Sequence, residues 1–136
     1  MELPIEFLEQ MKNMLGEEYE AFLASYDKER TYGLRLNTLK GNVEEILAKL
    51  PFSLEPVNWC DTGFYYQEQE RPGKHVFHEA GVYYIQEPSA MITAELAQVM
   101  PGDVVLDLCA APGGKSTQLA CKLQGEGLLI SNENNG

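Results

Sequence analysis

The residues best suited to chemistry lie in VVLDLCAAPGGKSTQLA, Val104 to Ala120. An apolar run enters a turn of small residues, and a helical pattern follows. Gly113 and Gly114 let a ligand approach the backbone where a side chain would block it. The first N–H groups of the following helix have no partner within that helix and point into the same space. A ligand at the carboxyl end of the strand meets those donors. About 20 residues further on, at the end of the next apolar run, stands Glu133, where an acid accepts hydrogen bonds from ribose hydroxyls in nucleotide and nucleoside sites.

Four readings of the turn compete. A triphosphate loop needs Gly, four residues, then Gly-Lys-Ser/Thr. Gly114-Lys115-Ser116 is present, but Cys109 stands where the first Gly belongs, so the match fails where the phosphate cradle begins. The G-x-G-x-x-G fingerprint fails too, because the two glycines are adjacent behind Pro112. A purely structural strand-to-helix turn leaves Glu133 unexplained. The remaining ligand is a nucleoside without phosphate, such as S-adenosylmethionine.

The same stretch closely resembles the first cofactor motif of the Nop/Sun family of RNA cytosine-5 methyltransferases. LRLNTLK (Leu34 to Lys40) resembles that family's R-x-N-T-L-K segment, and GVYYIQEPSAM (Gly81 to Met91) resembles its lead into the methyltransferase domain. Trp59, Cys60, Gly63 and Phe64 are similar to the bacterial ribosomal RNA branch. The resemblance implies S-adenosylmethionine as cofactor, held by Cys109, Ala110, Ala111, Pro112, Gly113, Gly114 and Lys115, with Glu133 on the ribose. Cys109 would line the cofactor through its backbone. Lys115 would reach the methionine carboxylate or the substrate side, against the plain alternative of a solvated helix-start lysine. Arg35, Asn37 and Lys40 would contact RNA or pack the first domain on the catalytic one; the plain alternative is a solvated strand face.

Family members attack carbon 6 of cytosine with a cysteine thiolate, which activates carbon 5 toward the methyl group. Both family cysteines stand in later proline-cysteine and threonine-cysteine motifs. Cys60, Cys109 and Cys121 have no such context, so no catalytic residue is assigned among them. The expectation is an N-terminal fragment of a ribosomal, or alternatively transfer, RNA methyltransferase, inactive alone and prone to self-associate through an uncovered sheet edge. The competing reading is a non-catalytic module that binds RNA or cofactor.

These parts need elements to position them. Ile5, Leu8, Met11 and Leu15, with Phe7 and Met14 beside them, form one helical stripe, with Pro4 in the first turn and Gly16 as the stop. Residues 17–27 predict a second short helix with Tyr19, Phe22 and Leu23 inward. Tyr32, Leu34 and Leu36 alternate with Gly33, Arg35 and Asn37, predicting a half-buried strand whose polar face presents Arg35 and Asn37. A helix capped by Asn42 and halted by Pro51 follows. Residues 52–85 read as aromatic strands broken by an exposed loop at QERPGK, and Pro88 starts another helix. Val104 to Leu108, apolar apart from Asp107, suits a strand covered on both faces of a parallel sheet. A helix, a QGEG turn and a second buried strand, LLISNE, complete the series.

The fold class expected is therefore α/β. Residues 1–85 form a small α+β domain with an RNA-contacting or packing role. Residues 86–136 open a doubly wound, Rossmann-like methyltransferase sheet that is incomplete, and the boundary falls near Ile85 to Ser89.

The 136 residues are 44% hydrophobic, which argues against wholesale disorder. The net charge is -11, so any RNA contact relies on a local patch or on charge supplied elsewhere. The odd, widely spaced cysteines read as free thiols rather than disulfides or metal ligands. With no membrane-length apolar run and no secretory leader, a cytoplasmic location is expected.

Overall fold

The computed structural model describes residues 3–134. They fall into two compact units, divided between Arg30 and Thr31. In the first, helix α1 (Ile5–Leu15) ends where Gly16, at φ 53°, returns its N–H to the Lys12 carbonyl. A 3-10 turn (Gly16–Glu18) leads into helix α2 (Tyr19–Ser25). Phe7 and Phe22 meet with ring centroids 6.2 Å apart. Leu8, Met11, Leu15, Tyr19, Phe22 and Leu23 are half-buried as their spacing predicts, whereas Ile5 and Met14 are exposed. Pro4 occupies the N-cap rather than the first turn.

The second unit contains two sheets. The antiparallel sheet runs in the order β2 (Glu55–Val57), β3 (Cys60–Tyr66), β1 (Tyr32–Leu36), β4 (Tyr83–Ile85). Leu34 stands opposite Phe64 on one side and Ile85 on the other, and Leu36 opposite Tyr83. With Ile46 these side chains make the core, capped by helix α3 (Val43–Leu47), whose Glu45 N–H is received by the Asn42 side chain at 2.8 Å.

The other face of β1 is not solvated, which corrects the half-buried strand. Helix α5 (Pro88–Leu96) lies against it. Gly63, directly opposite Arg35, makes the room: a Cβ there would come within 2.6 Å of the Met91 sulfur. Residues 52–85 also hold less strand than their composition suggests. QERPGK folds into two 3-10 turns, with Pro72 buried and its carbonyl accepting the Tyr83 hydroxyl at 2.8 Å, and helix α4 (Val76–Glu79) precedes β4.

The second sheet consists of β5 (Val104–Asp107) and β6 (Leu128–Ser131), parallel and in register from Val104↔Leu128 to Asp107↔Ser131. Helix α6 (Gly114–Leu123) joins them, so this is one βαβ unit of a doubly wound sheet, as expected from the sequence. The expectation of coverage on both faces is corrected. Val104, Leu106, Leu128 and Ile130 are 74%, 57%, 51% and 48% exposed, and the parallel register puts them all on one face. The expected domain boundary near residues 85–89 lies inside the second compact unit; what changes between Ile85 and Val104 is the sheet, from antiparallel to parallel.

Helices α5 and α6 are tied together by polar groups. Gln118 Nε2 donates to the Met91 carbonyl at 2.9 Å and to Glu95 at 2.8 Å, and Lys122 Nζ meets Glu95 at 2.6 Å. Burial alone pushes the Glu95 carboxyl up, but hydrogen bonds from Lys122, Gln118 and Cys60 outweigh it and hold the group below its ordinary 4.5. A folded-state pKa that is depressed contributes stability above the unfolded value and loses it as pH falls through the folded one. Melting curves recorded from pH 6 downward should therefore show a shallower acid loss for Lys122→Met than for the parent, with the difference opening below the ordinary value. Parallel curves for the two proteins would contradict the assignment.

Candidate cofactor site

The turn between β5 and α6 is built by its neighbours. The Ala111–Pro112 peptide is cis, and Gly113 takes φ 110°, a conformation L side chains rarely adopt. Asp107, the single charge in the apolar strand, receives the Cys109 N–H at 3.3 Å and the Ser116 hydroxyl at 2.6 Å. Ser131, at the end of β6, stands 3.0 Å from the Ser116 oxygen. The ladder between the strands continues past their ends, with the Ala110 N–H donating to the Asn132 carbonyl at 3.0 Å.

Glu133 is brought to the turn across 22 residues of sequence: its Oε2 accepts the Ala111 N–H at 3.0 Å and its Oε1 accepts the Asn134 N–H at 2.7 Å. These bonds aim the carboxylate at the turn. Ala110, Ala111, Pro112 and Gly113 share one open groove with Glu133 and with Ser116 and Ser131. Cys109, Gly114 and Lys115 line a second hollow on the side of Tyr84 and Glu87, where Ala110, Ala111 and Pro112 also take part. The eight cofactor candidates are thus gathered at one turn that presents two sides.

The three RNA candidates are not gathered there. Arg35 is 1% exposed, so it is withdrawn as a contact to an RNA backbone. Its Nε donates to Gln86 Oε1 at 3.0 Å, and one terminal nitrogen reaches both Thr117 Oγ1 at 2.7 Å and the Gly114 carbonyl at 3.2 Å. These contacts tie β1 to the start of α6. Asn37 is engaged within the protein, donating to the Gly81 carbonyl at 2.8 Å and accepting the Leu39 N–H at 3.1 Å. Lys40 alone is exposed.

The cysteines are free thiols in three settings. Cys60 is buried, and burial pushes its pKa up, which disfavours the thiolate. Cys121 lies on α6 at a polar junction rather than in an apolar core, 3.3 Å from Asn37 Oδ1. Cys109 is exposed in the turn. Among the described residues no cluster of three His, Cys, Asp or Glu is placed to hold a metal, and no helix is long and apolar enough to cross a membrane.

Sequence reasoning passed over Asp107, Gln86 and Thr117. A lone acid closing an apolar strand immediately before a glycine turn was the available signal for Asp107. Gln86 and Thr117 carry none, because only the tertiary fold brings β1 to α6.

Comparison with known proteins agrees with this architecture. Residues 3–88 match the model of the N-terminal domain of 16S rRNA methyltransferase RsmF. The ribosomal RNA small subunit methyltransferase F of Photobacterium profundum is 38% identical over 142 residues, covering 96% of this chain and 30% of its own length. The Enterobacter protein of the same name is 36% identical, with 96% and 29% covered. The chain thus spans about 30% of the length of these curated relatives. A methyltransferase homologue from Pyrococcus horikoshii superposes with TM-score 0.77 at 28% identity, over 95% of this chain and 44% of that one. NSun6 from the same organism, solved with SFG, superposes with TM-score 0.80 at 18% identity, over 97% and 59%, and shares the fold. From the α+β start through the glycine turn, this chain belongs to the RsmF family of ribosomal RNA methyltransferases, within the Nop/Sun group.

Proposed function

We propose that the chain is the N-terminal part of an S-adenosylmethionine-dependent methyltransferase acting on carbon 5 of cytosine in ribosomal RNA, in the cytoplasm. The observation that carries the reading is Glu133 held against the Ala111 N–H, an acid from the end of β6 delivered to the turn after β5. The residues fit a nucleoside. Space beyond Gly113 is open, the Ser116 and Ser131 hydroxyls adjoin the groove, and Glu133 lines it with a group of the kind that takes ribose hydroxyls. When bound, the cofactor supplies the electrophilic methyl group. The chain's own part is to hold and orient it: Glu133 takes the sugar, the backbone from Cys109 to Gly114 lines the ligand, and Lys115 faces the second hollow, where a substrate or carboxylate would lie.

None of the three cysteines is given the nucleophile's role, which this reading places in sequence beyond Gly136. Of the RNA candidates, Lys40 remains a proposed contact. Calorimetric titration with S-adenosylmethionine and with ATP tests the cofactor assignment: heat from the first and none from the second is expected, and the reverse would overturn it. Methyl transfer to small-subunit ribosomal RNA by the protein carrying the relatives' downstream length tests the reaction; no transfer to cytosine would reject it.

Among the described residues the apolar face of β5 and β6 is uncovered and neither strand pairs on its outer edge, which also supports self-association of the isolated chain. Sedimentation should show species above 15.2 kDa that increase with concentration. A single monomer boundary at every concentration would remove this proposal.

A further inference from the structure

Three successive carbonyl oxygens, those of Pro112, Gly113 and Gly114, accept hydrogen bonds within the protein. The Pro112 carbonyl accepts the Tyr84 hydroxyl at 3.0 Å. The Gly113 carbonyl accepts the Thr117 N–H at 2.9 Å and the Thr117 hydroxyl at 2.8 Å. The Gly114 carbonyl accepts from Arg35, whose same nitrogen donates to Thr117 Oγ1. Two of these three carbonyls are gripped by side chains of the antiparallel sheet, Tyr84 from β4 and Arg35 from β1. The contact is close: a Cβ on Gly114 would lie 3.3 Å from both Gln86 Nε2 and Tyr84 Cε1. In a planar trans peptide the carbonyl and the next N–H point opposite ways. Pulling Pro112 and Gly114 oxygens toward the sheet therefore turns the N–H groups of Gly113 and Lys115 away from it.

Arg35 is also an unusual choice for packing alone. It is buried, yet among the described residues no carboxylate lies within ion-pair distance of it; its partners are an amide, a hydroxyl, a carbonyl and, at 3.9 Å, the Cys121 thiol. A buried guanidinium with neutral partners is costly to keep. Its planar fork serves three directions at once, which a lysine ammonium in the same place does not.

We infer that Arg35 and Tyr84 are positioning residues for the turn: from the antiparallel sheet they hold the Gly114 and Pro112 carbonyls and so aim the N–H groups of Gly113 and Lys115 at the ligand. The inference rests on the reading above that this turn takes the cofactor. It also gives the small sheet a task in the cofactor site that needs no contact with the cofactor.

The test uses Arg35→Lys and Tyr84→Phe in the full chain, with two readouts: S-adenosylmethionine affinity by titration, and the amide nitrogen–proton spectrum with hydrogen exchange. Affinity should fall by about tenfold or more for Arg35→Lys and by about threefold to tenfold for Tyr84→Phe. Amide shifts and faster exchange should centre on residues 113–117 and spare β3, while the melt stays cooperative. A merely structural role would lower the melting temperature without that local signature. Unchanged turn amides in both variants, or unchanged affinity in both, would overturn the inference. If the parent chain binds no S-adenosylmethionine, the cofactor reading fails separately, and the amide signature alone decides whether the two residues hold the turn. Should Arg35→Lys fail to fold, Tyr84→Phe, which removes one hydroxyl, carries the decision.

Discussion

Leu34→Ala is expected to lower the unfolding free energy by about 3 to 4 kcal/mol, from the lost transfer energy of the side chain plus the cavity left behind. Leu34 is 0% exposed and sits between Phe64 and Ile85 on neighbouring strands. Backbone hydrogen bonds to β3 and β4 hold β1 from both sides, so the sheet has little freedom to close the gap. Urea unfolding gives the measurement, with Leu128→Ala as comparison. Leu128 is 51% exposed on the uncovered face of β6, and its truncation should change stability by roughly 0.5 kcal/mol or less. Equal losses for the two variants would mean that the antiparallel sheet is not the core of the second unit.

Glu133→Ala should weaken S-adenosylmethionine binding by about 10- to 100-fold, the loss of one or two hydrogen bonds to a charged acceptor. Two effects combine. The variant loses the acceptor for the ribose, and it frees the Ala111 N–H that now ties the end of β6 to the turn. Glu133→Gln separates them, because an amide oxygen still accepts from Ala111 while the charge is gone; an intermediate affinity is expected. Titration on the protein with its downstream sequence measures both variants. Parental affinity in Glu133→Ala would remove the sugar assignment and leave the turn without its defining acid.

The parts legible in the sequence are those whose cause is local. The helix from Ile5 to Leu15, the Asn42 cap and the strand–turn–helix from Val104 to Leu123 each depend on residues a few positions apart, and each forms where its pattern lies. Arg35 shows the limit. Alternation in β1 correctly separates Leu34 and Leu36 from Arg35, but it does not tell whether the second face meets water or a helix. Met91 over Gly63 decides that, from a segment 28 positions away. The opposite error occurs at β5, where a continuous apolar run implies two covered faces and the described residues cover one. Periodicity assigns faces; what lies over each face comes from tertiary pairing. At the turn, Gly113 and Glu133 were readable from spacing, whereas the Arg35–Gln86–Thr117 network joins three segments whose separations follow no motif.

The strand order also bears on how this domain can diversify. Among the described strands β2 pairs with β3 alone, at the sheet margin opposite β4, and Pro56 within it offers no N–H to a further strand. Arg35 and Tyr84 both come from the adjoining pair at the other side. Stretches of foreign sequence spliced in near the exposed Glu55 would thus lie at the sheet margin away from Tyr84 and the glycine turn it touches, making that margin the natural place for evolution, or a laboratory tag, to add length.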